Sequence, residues 1–137
     1  MHIASGSTNE ETDYPMNETD DLPIFERSPC PVSNVLDLFG DKWTLLVVRD
    51  LLLGKTRYGE FAQSPEGIPT NILADRLKKL EEARVVEKKA YCEKPVRYEY
   101  ELTGKGRDLL PILEAMADWA QKHVPGSRVF PRWKRPE

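Results

Sequence analysis

The sequence predicts a mainly α (α+β) fold: four helices, then a two-stranded ribbon, then a closing helix. Two observations carry this expectation. Apolar residues recur at helical spacing through most of residues 31–82 and again from Leu109 to Ala120. Between these stretches the pattern switches to strict alternation, with Tyr98, Tyr100 and Leu102 on one side and Arg97, Glu99 and Glu101 on the other, which is the period of a strand.

The elements follow in order. Pro31 suits a first helical position, Val32, Val35, Leu36 and Phe39 share a face, and Gly40 can stop a helix over Pro31–Phe39. Asp41 is placed to cap a second helix over Lys42–Leu53, ended by Gly54. Its apolar residues, Trp43, Leu45, Leu46, Val47, Val48, Leu51, Leu52 and Leu53, wrap most of its circumference and put it at the centre of a core. Thr56 can cap a short third helix over Arg57–Ala62, and Ser64-Pro65-Glu66-Gly67 is a turn. Pro69 opens the fourth helix, in which Leu73, Leu77 and Leu80 form the inner stripe.

Strands over Val86–Tyr91 and Arg97–Leu102 then flank a five-residue tip, Cys92–Val96, where Pro95 breaks the ladder. A lone hairpin is marginal, so this one must lean on the helices as a wing. Thr103 caps a final helix reaching about His123, in which Pro111 removes one hydrogen bond and bends the axis. Leu109, Leu113, Met116 and Ala120 form one stripe of that helix, with Ile112 and Trp119 on an adjoining one. That is more apolar surface than one small core needs, and it predicts a dimer surface. Trp43, Phe61, Tyr98 and Tyr100 are expected in the core.

With 137 residues and 39% hydrophobic content, the chain can bury one modest core. Residues 1–27 are the expected disordered acidic extension, 28–124 the folded domain and 125–137 a C-terminal tail. No apolar run is long enough for a membrane span, since Arg49-Asp50 interrupt the most apolar segment, Leu45–Leu53. The start shows neither a basic leader nor an apolar core, so a secretory signal is not expected, and Cys30 and Cys92 read as reduced cytoplasmic thiols.

The net charge of −3 argues against a polyanionic partner until it is located. Residues 1–27 set seven carboxylates against Arg27, a net −6, which leaves the rest of the chain at +3. Catalysis finds little support. The two histidines are His2 and His123, and no metal-ligand spacing, nucleophile elbow or phosphate-cradling loop is present, so neither a metal nor a cofactor is expected.

A helix, a turn, a second amphipathic helix and a wing make a winged helix-turn-helix, whose second helix fits a DNA major groove. On the outer face of the fourth helix, Thr70 and Asn71 lie near the N-terminal end as base readers, with Ala74 at the edge of that face. Lys78 is placed for phosphate, as are Arg76 and Lys79 when their stems swing outward. Lys94 and Arg97 near the wing tip suit the adjacent minor groove or backbone. Tyr58 suits packing and phosphate equally. Asp75 is the awkward member, since a carboxylate repels phosphate, although it can accept from a cytosine amino group. The plainer alternative makes Thr70 and Asn71 simple caps and the lysines a solvated face. A related alternative is a winged-helix protein-interaction module that does not bind DNA.

Several motifs in combination resemble the HxlR family of winged-helix regulators, relatives of the MarR group, over roughly Cys30 to Trp119. They are Cys30-Pro31-Val32, Gly40-Asp41-Lys42-Trp43-Thr44, Arg57-Tyr58-Gly59-Glu60-Phe61, Gly67-Ile68 before Leu73, Arg76-Leu77 and Leu80-Glu81, then Val96-Arg97-Tyr98-Glu99-Tyr100, and Leu102-Thr103 with Gly106. The resemblance implies a homodimer on a pseudo-palindromic operator, with repression the expected sign of control. Family members that sense oxidants, quinones or aldehydes through a cysteine at this place imply the same for Cys30, which stands where the positive end of the first helix favours a reactive thiolate. The bland alternative for Cys30 is a small apolar residue at the dimer face. Two departures stand out: Arg84 occupies a position where the family often has glycine, and the acidic extension lies outside the family pattern.

Overall fold

The computed structural model describes residues 27–128, which divide between Lys42 and Trp43 into two units. The acidic extension, Arg27 apart, and the end of the expected C-terminal tail lie outside the described residues.

In the first unit, α1 (Pro31–Phe39) begins where expected, with Pro31 at the first helical position. Cys30 is the N-cap. Its carbonyl accepts from the Asn34 amide at 3.0 Å, but its side chain makes no capping bond. Arg27 reaches Asp37 at 2.7 Å across the outside of the helix. Phe39 is buried, whereas Val32 and Leu36 are more than half exposed.

The second unit holds the remaining elements. Its central helix, α2 (Thr44–Leu52), starts two residues later than the sequence suggests: Trp43 is the N-cap, without a side-chain capping bond. Thr44, at the first helical position, is buried. Val47, Val48 and Leu51 are buried, and the helix packs against α4 (Thr70–Glu82), β2 (Val96–Leu102) and α6 (Leu110–His123). Between α2 and α4 lies α3 (Tyr58–Ala62). Thr56 does not cap it. The Glu60 carboxylate instead turns back to accept from the Thr56 and Arg57 amides at 2.8 and 3.0 Å, and these bonds lower its pKa.

The end of α4 accounts for Arg84. Arg84 adopts a left-handed conformation at φ 63°, the place glycine takes most easily, while the Val85 amide reaches back to the Leu80 carbonyl at 2.9 Å. Two side chains from beyond the wing close the helix end: Thr103 Oγ1 donates to the Arg84 carbonyl at 2.7 Å and Lys105 Nζ to the Ala83 carbonyl at 2.9 Å. A glycine-type helix end is thus kept with an arginine in it.

The wing is a two-stranded antiparallel sheet of β1 (Val86–Glu93) and β2. Its ladder runs from Val86 opposite Leu102 to Glu93 opposite Val96, so the expected five-residue tip shrinks to Lys94-Pro95, joined by a cis peptide bond. One β1 residue, Tyr91, bulges out between the Ala90–Tyr98 and Cys92–Arg97 pairs. Tyr98 is exposed rather than in the core and lies under Lys88 Nζ at 4.6 Å; Tyr100 is half-buried, its ring edge-on to buried Phe61.

The expected single closing helix is two: α5 (Gly104–Arg107) and α6. Thr103 does cap, accepting from the Gly106 amide at 3.1 Å. Pro111 falls in the first turn of α6, where its missing N–H leaves nothing unpaired, so it starts a helix instead of bending one. Gly106 is required by space, since a Cβ there would overlap the Val85 carbonyl oxygen and crowd Leu102. Leu109, Leu110 and Leu113 are buried, whereas Met116 and Trp119 are 51% and 63% exposed, so the apolar stripe covers the core along its first half alone. No helix among the described residues is long and apolar enough to cross a membrane.

Candidate nucleic-acid interface

The turn between α3 and α4 is held by a compact ionic cluster. The Arg49 guanidinium donates to both oxygens of Glu66 at 2.7 and 2.8 Å and to Asp50 Oδ1 at 2.9 and 3.1 Å. The other Asp50 oxygen accepts from Ser64 Oγ, and Lys55 Nζ reaches both Ser64 Oγ, at 2.8 Å, and Asp50, at 3.8 Å. Asp50 is 95% buried at its side chain, and no buried side-chain nitrogen or oxygen among the described residues lacks a hydrogen-bond partner. Hydrogen bonding from Arg49 holds the Glu66 carboxyl below the ordinary carboxylate range, and the two carboxylates raise the Arg49 pKa. Because Ser64 and Glu66 belong to the turn and Arg49 and Asp50 to α2, the cluster ties the turn before α4 to the central helix.

The inner face of α4 is Leu73, Leu77 and Leu80, all essentially buried as the spacing predicts. Thr70, Asn71, Ala74, Asp75, Lys78 and Lys79 are all exposed, and Arg76 is partly covered. Apart from Arg76, the predicted readers and anchors of the fourth helix are therefore open to solvent. Asp75 pairs with Arg76 and, across one turn, with Lys79 at 3.9 Å. Tyr58 is tied to the start of the same helix, its hydroxyl donating to the Thr70 carbonyl at 2.7 Å. That bond gives Tyr58 a positioning role while its ring stays more than one-third exposed.

Lys94 and Arg97 are exposed at the wing tip, one in the turn and the other on β2 opposite Cys92. Sequence reasoning missed Arg57. Its guanidinium lies 3.8 Å from the centre of the Tyr91 ring and 3.5 Å from the Glu99 carboxylate, and the Tyr100 amide donates to the neighbouring Thr56 carbonyl at 2.7 Å. Arg57 thus connects the helix-turn-helix to the wing. Nothing local could reveal this, because Glu99 stands 42 residues further along the chain.

Away from this surface, Ile112, Met116 and Trp119 are exposed on α6, and the Trp119 ring packs against His123 with ring centres 4.9 Å apart. Cys30 and Cys92 are half-buried and not joined in a disulfide. No group of three or more metal-ligating side chains occurs among the described residues.

Comparison with known proteins agrees with this geometry. The family model described as HxlR-like helix-turn-helix matches residues 38–128. The chain is 37% identical over 112 residues to the uncharacterised HTH-type transcriptional regulator sll1512 of Synechocystis sp., covering 78% of this chain and 83% of that regulator. Among solved structures, the transcriptional regulator YodB from B. subtilis, in its reduced form, is similar with a TM-score of 0.60 and 32% identity, over 72% of this chain and 98% of that one. The redox regulator HypR in its reduced form is similar with a TM-score of 0.64 and 33% identity, over 69% of this chain and 94% of that one. It is also similar in its oxidised form, with a TM-score of 0.62. The fold is a winged helix-turn-helix, and the chain belongs to the HxlR-like helix-turn-helix family of transcriptional regulators.

Proposed function

We propose that this regulator binds DNA sequence-specifically as a homodimer on a pseudo-palindromic operator and represses the genes beside it. One observation carries the reading: α4 buries Leu73, Leu77 and Leu80 while presenting Thr70, Asn71, Ala74, Asp75, Lys78 and Lys79 on its outer face, beside a wing that exposes Lys94 and Arg97. In this reading Thr70, Asn71 and Asp75 meet base edges, Lys78, Lys79 and Arg76 meet phosphate, Tyr58 sets the start of α4, and the wing lies on the adjacent backbone or minor groove. The exposed apolar residues of α6, and those of α1 in their own unit, support pairing with a second copy.

Footprinting on the DNA flanking its own gene tests this. Protection of two half-sites about 34 Å apart on one duplex face is expected; protection without that symmetry counts against the dimer. Lys78→Ala and Arg97→Ala should each weaken binding and lower the salt slope by about 1, with the fold intact.

Cys30 is proposed as the responsive group, toward oxidants or electrophiles. Its place at the start of α1, its partial exposure and the likeness to HypR, a redox regulator with reduced and oxidised structures, support this. Oxidant should release DNA from the wild type and not from Cys30→Ser; release from both rules out Cys30 as the sensor.

A further inference from the structure

We infer that Arg57 is a positioning residue for DNA binding: its side chain straps the wing to the helix-turn-helix, through the Tyr91 ring and the Glu99 carboxylate, and so aims Lys94 and Arg97 at the duplex. This rests on the reading of α4 as the groove-facing helix. Arg57 precedes α3 with an extended backbone and forms a single antiparallel bridge with Glu99. With the Tyr100 amide bonded to the Thr56 carbonyl, residues 56–57 run along the edge of β2 that β1 leaves free. The guanidinium nevertheless lies 3.8 Å from the centre of the Tyr91 ring, which belongs to β1. The side chain thus crosses β2 and passes the Glu99 carboxylate at 3.5 Å on the way.

The outer wing has little else to fix its direction. Val86 and Leu102 are buried at the base of the ribbon, and Tyr100 meets Phe61, but no wing residue beyond the Lys88–Tyr100 rung is buried. Glu99 alternates with Tyr100, and Tyr91 stands two residues on from Lys89, the ladder partner of Glu99. The strap therefore lies on the face of the ribbon opposite Tyr100. Phe61 holds one face and Arg57 the other, so the ribbon is checked from both sides. A planar guanidinium suits this place because it can lie on a ring and pair with a carboxylate at once. With its face on Tyr91 and its charge beside Glu99, Arg57 is suited to holding the wing, and the exposed cations Lys94 and Arg97 to meeting phosphate.

The test uses the full chain on a duplex selected from a random pool, with affinity titrated against salt and backbone contacts read by hydroxyl-radical footprinting. Tyr91→Leu removes the ring and no charge. It should bind several-fold more weakly, lower the salt slope by about 1 and lose the protection that flanks the α4 groove, because the wing cations no longer meet phosphate in register. Arg57→Ala should do the same, and the double variant should be no worse than Arg57→Ala alone. Tyr91→Phe keeps the ring face and should match the wild type. Tyr91 is 38% exposed and the Arg57 side chain 51%, so thermal unfolding should show every variant folded. If Arg57→Ala lowers the slope while Tyr91→Leu binds like the wild type, Arg57 meets phosphate itself, and the strap is overturned with the groove-facing reading intact. Wild-type binding by both variants also overturns the strap. An unchanged slope in Lys78→Ala overturns the reading of α4 and the strap with it.

Discussion

Two aspartates stand on either side of the turn that leads into α4, and each holds two cations, but one does so inside the protein and the other at its surface. Asp50, 5% exposed at its side chain, binds Arg49, Lys55 and Ser64; Asp75, 50% exposed, binds Arg76 and Lys79. Burial decides what each pairing does. Around Asp50 no water can replace a lost partner, so the cluster is a fixed joint. Around Asp75 water competes for the same bonds, so the pairs can change partners without disturbing the fold.

The comparison breaks first at Asp50. Asp50→Ala leaves the Lys55 and Ser64 groups facing a void, and a loss of about 3 to 5 kcal/mol in urea unfolding is expected; a loss below about 1 kcal/mol would place the cluster on a par with a surface pair. The next effect depends on pH. Arg49 holds the Glu66 carboxyl below its usual value of 4.5, so the stabilisation from this pair is complete above pH 4.5 and is lost as pH falls from there through the depressed value of the folded protein. Arg49 stays charged throughout, since its own pKa moves up. Glu66→Gln should therefore flatten the acid limb of a stability profile measured by thermal unfolding. The smallest effect is at Asp75: Asp75→Ala should change stability by no more than about 0.5 kcal/mol while altering DNA binding, and a larger loss would make it a structural residue like Asp50.

What the sequence conveyed follows the same division between local and distant causes. The leucine stripe of α4 was legible because a helical period is written into consecutive residues, and its burial then placed Thr70, Asn71 and Lys78 outward without further information. Thr103 was legible as a cap because its partner, the Gly106 amide, is three residues away. The Asp50 cluster was not, since it joins α2 to the turn across 14 and 17 residues, and neither Ser64 nor Glu66 differs in type from an ordinary turn residue. Asp75 is the opposite case, legible in type but not in its pairing. Its charge was plain, but its neutralisation by neighbouring side chains depends on rotamers that the sequence does not specify. Pro111 shows that a residue can be read correctly in chemistry and wrongly in place: it starts α6 and does not bend a longer helix.

The bulge at Tyr91 has its own consequence at the wing tip. Counting by twos along β1 from Val86 would put Cys92 on the side of Lys88 and Ala90, whereas the extra residue turns it to the side of its partner Arg97. The last rung but one of the ribbon therefore puts Cys92 and Arg97 on one face because of a residue count in the backbone, with no change of residue type at either position. A ribbon of the same sequence without that one residue would carry the same side chains at its tip aimed at the opposite face.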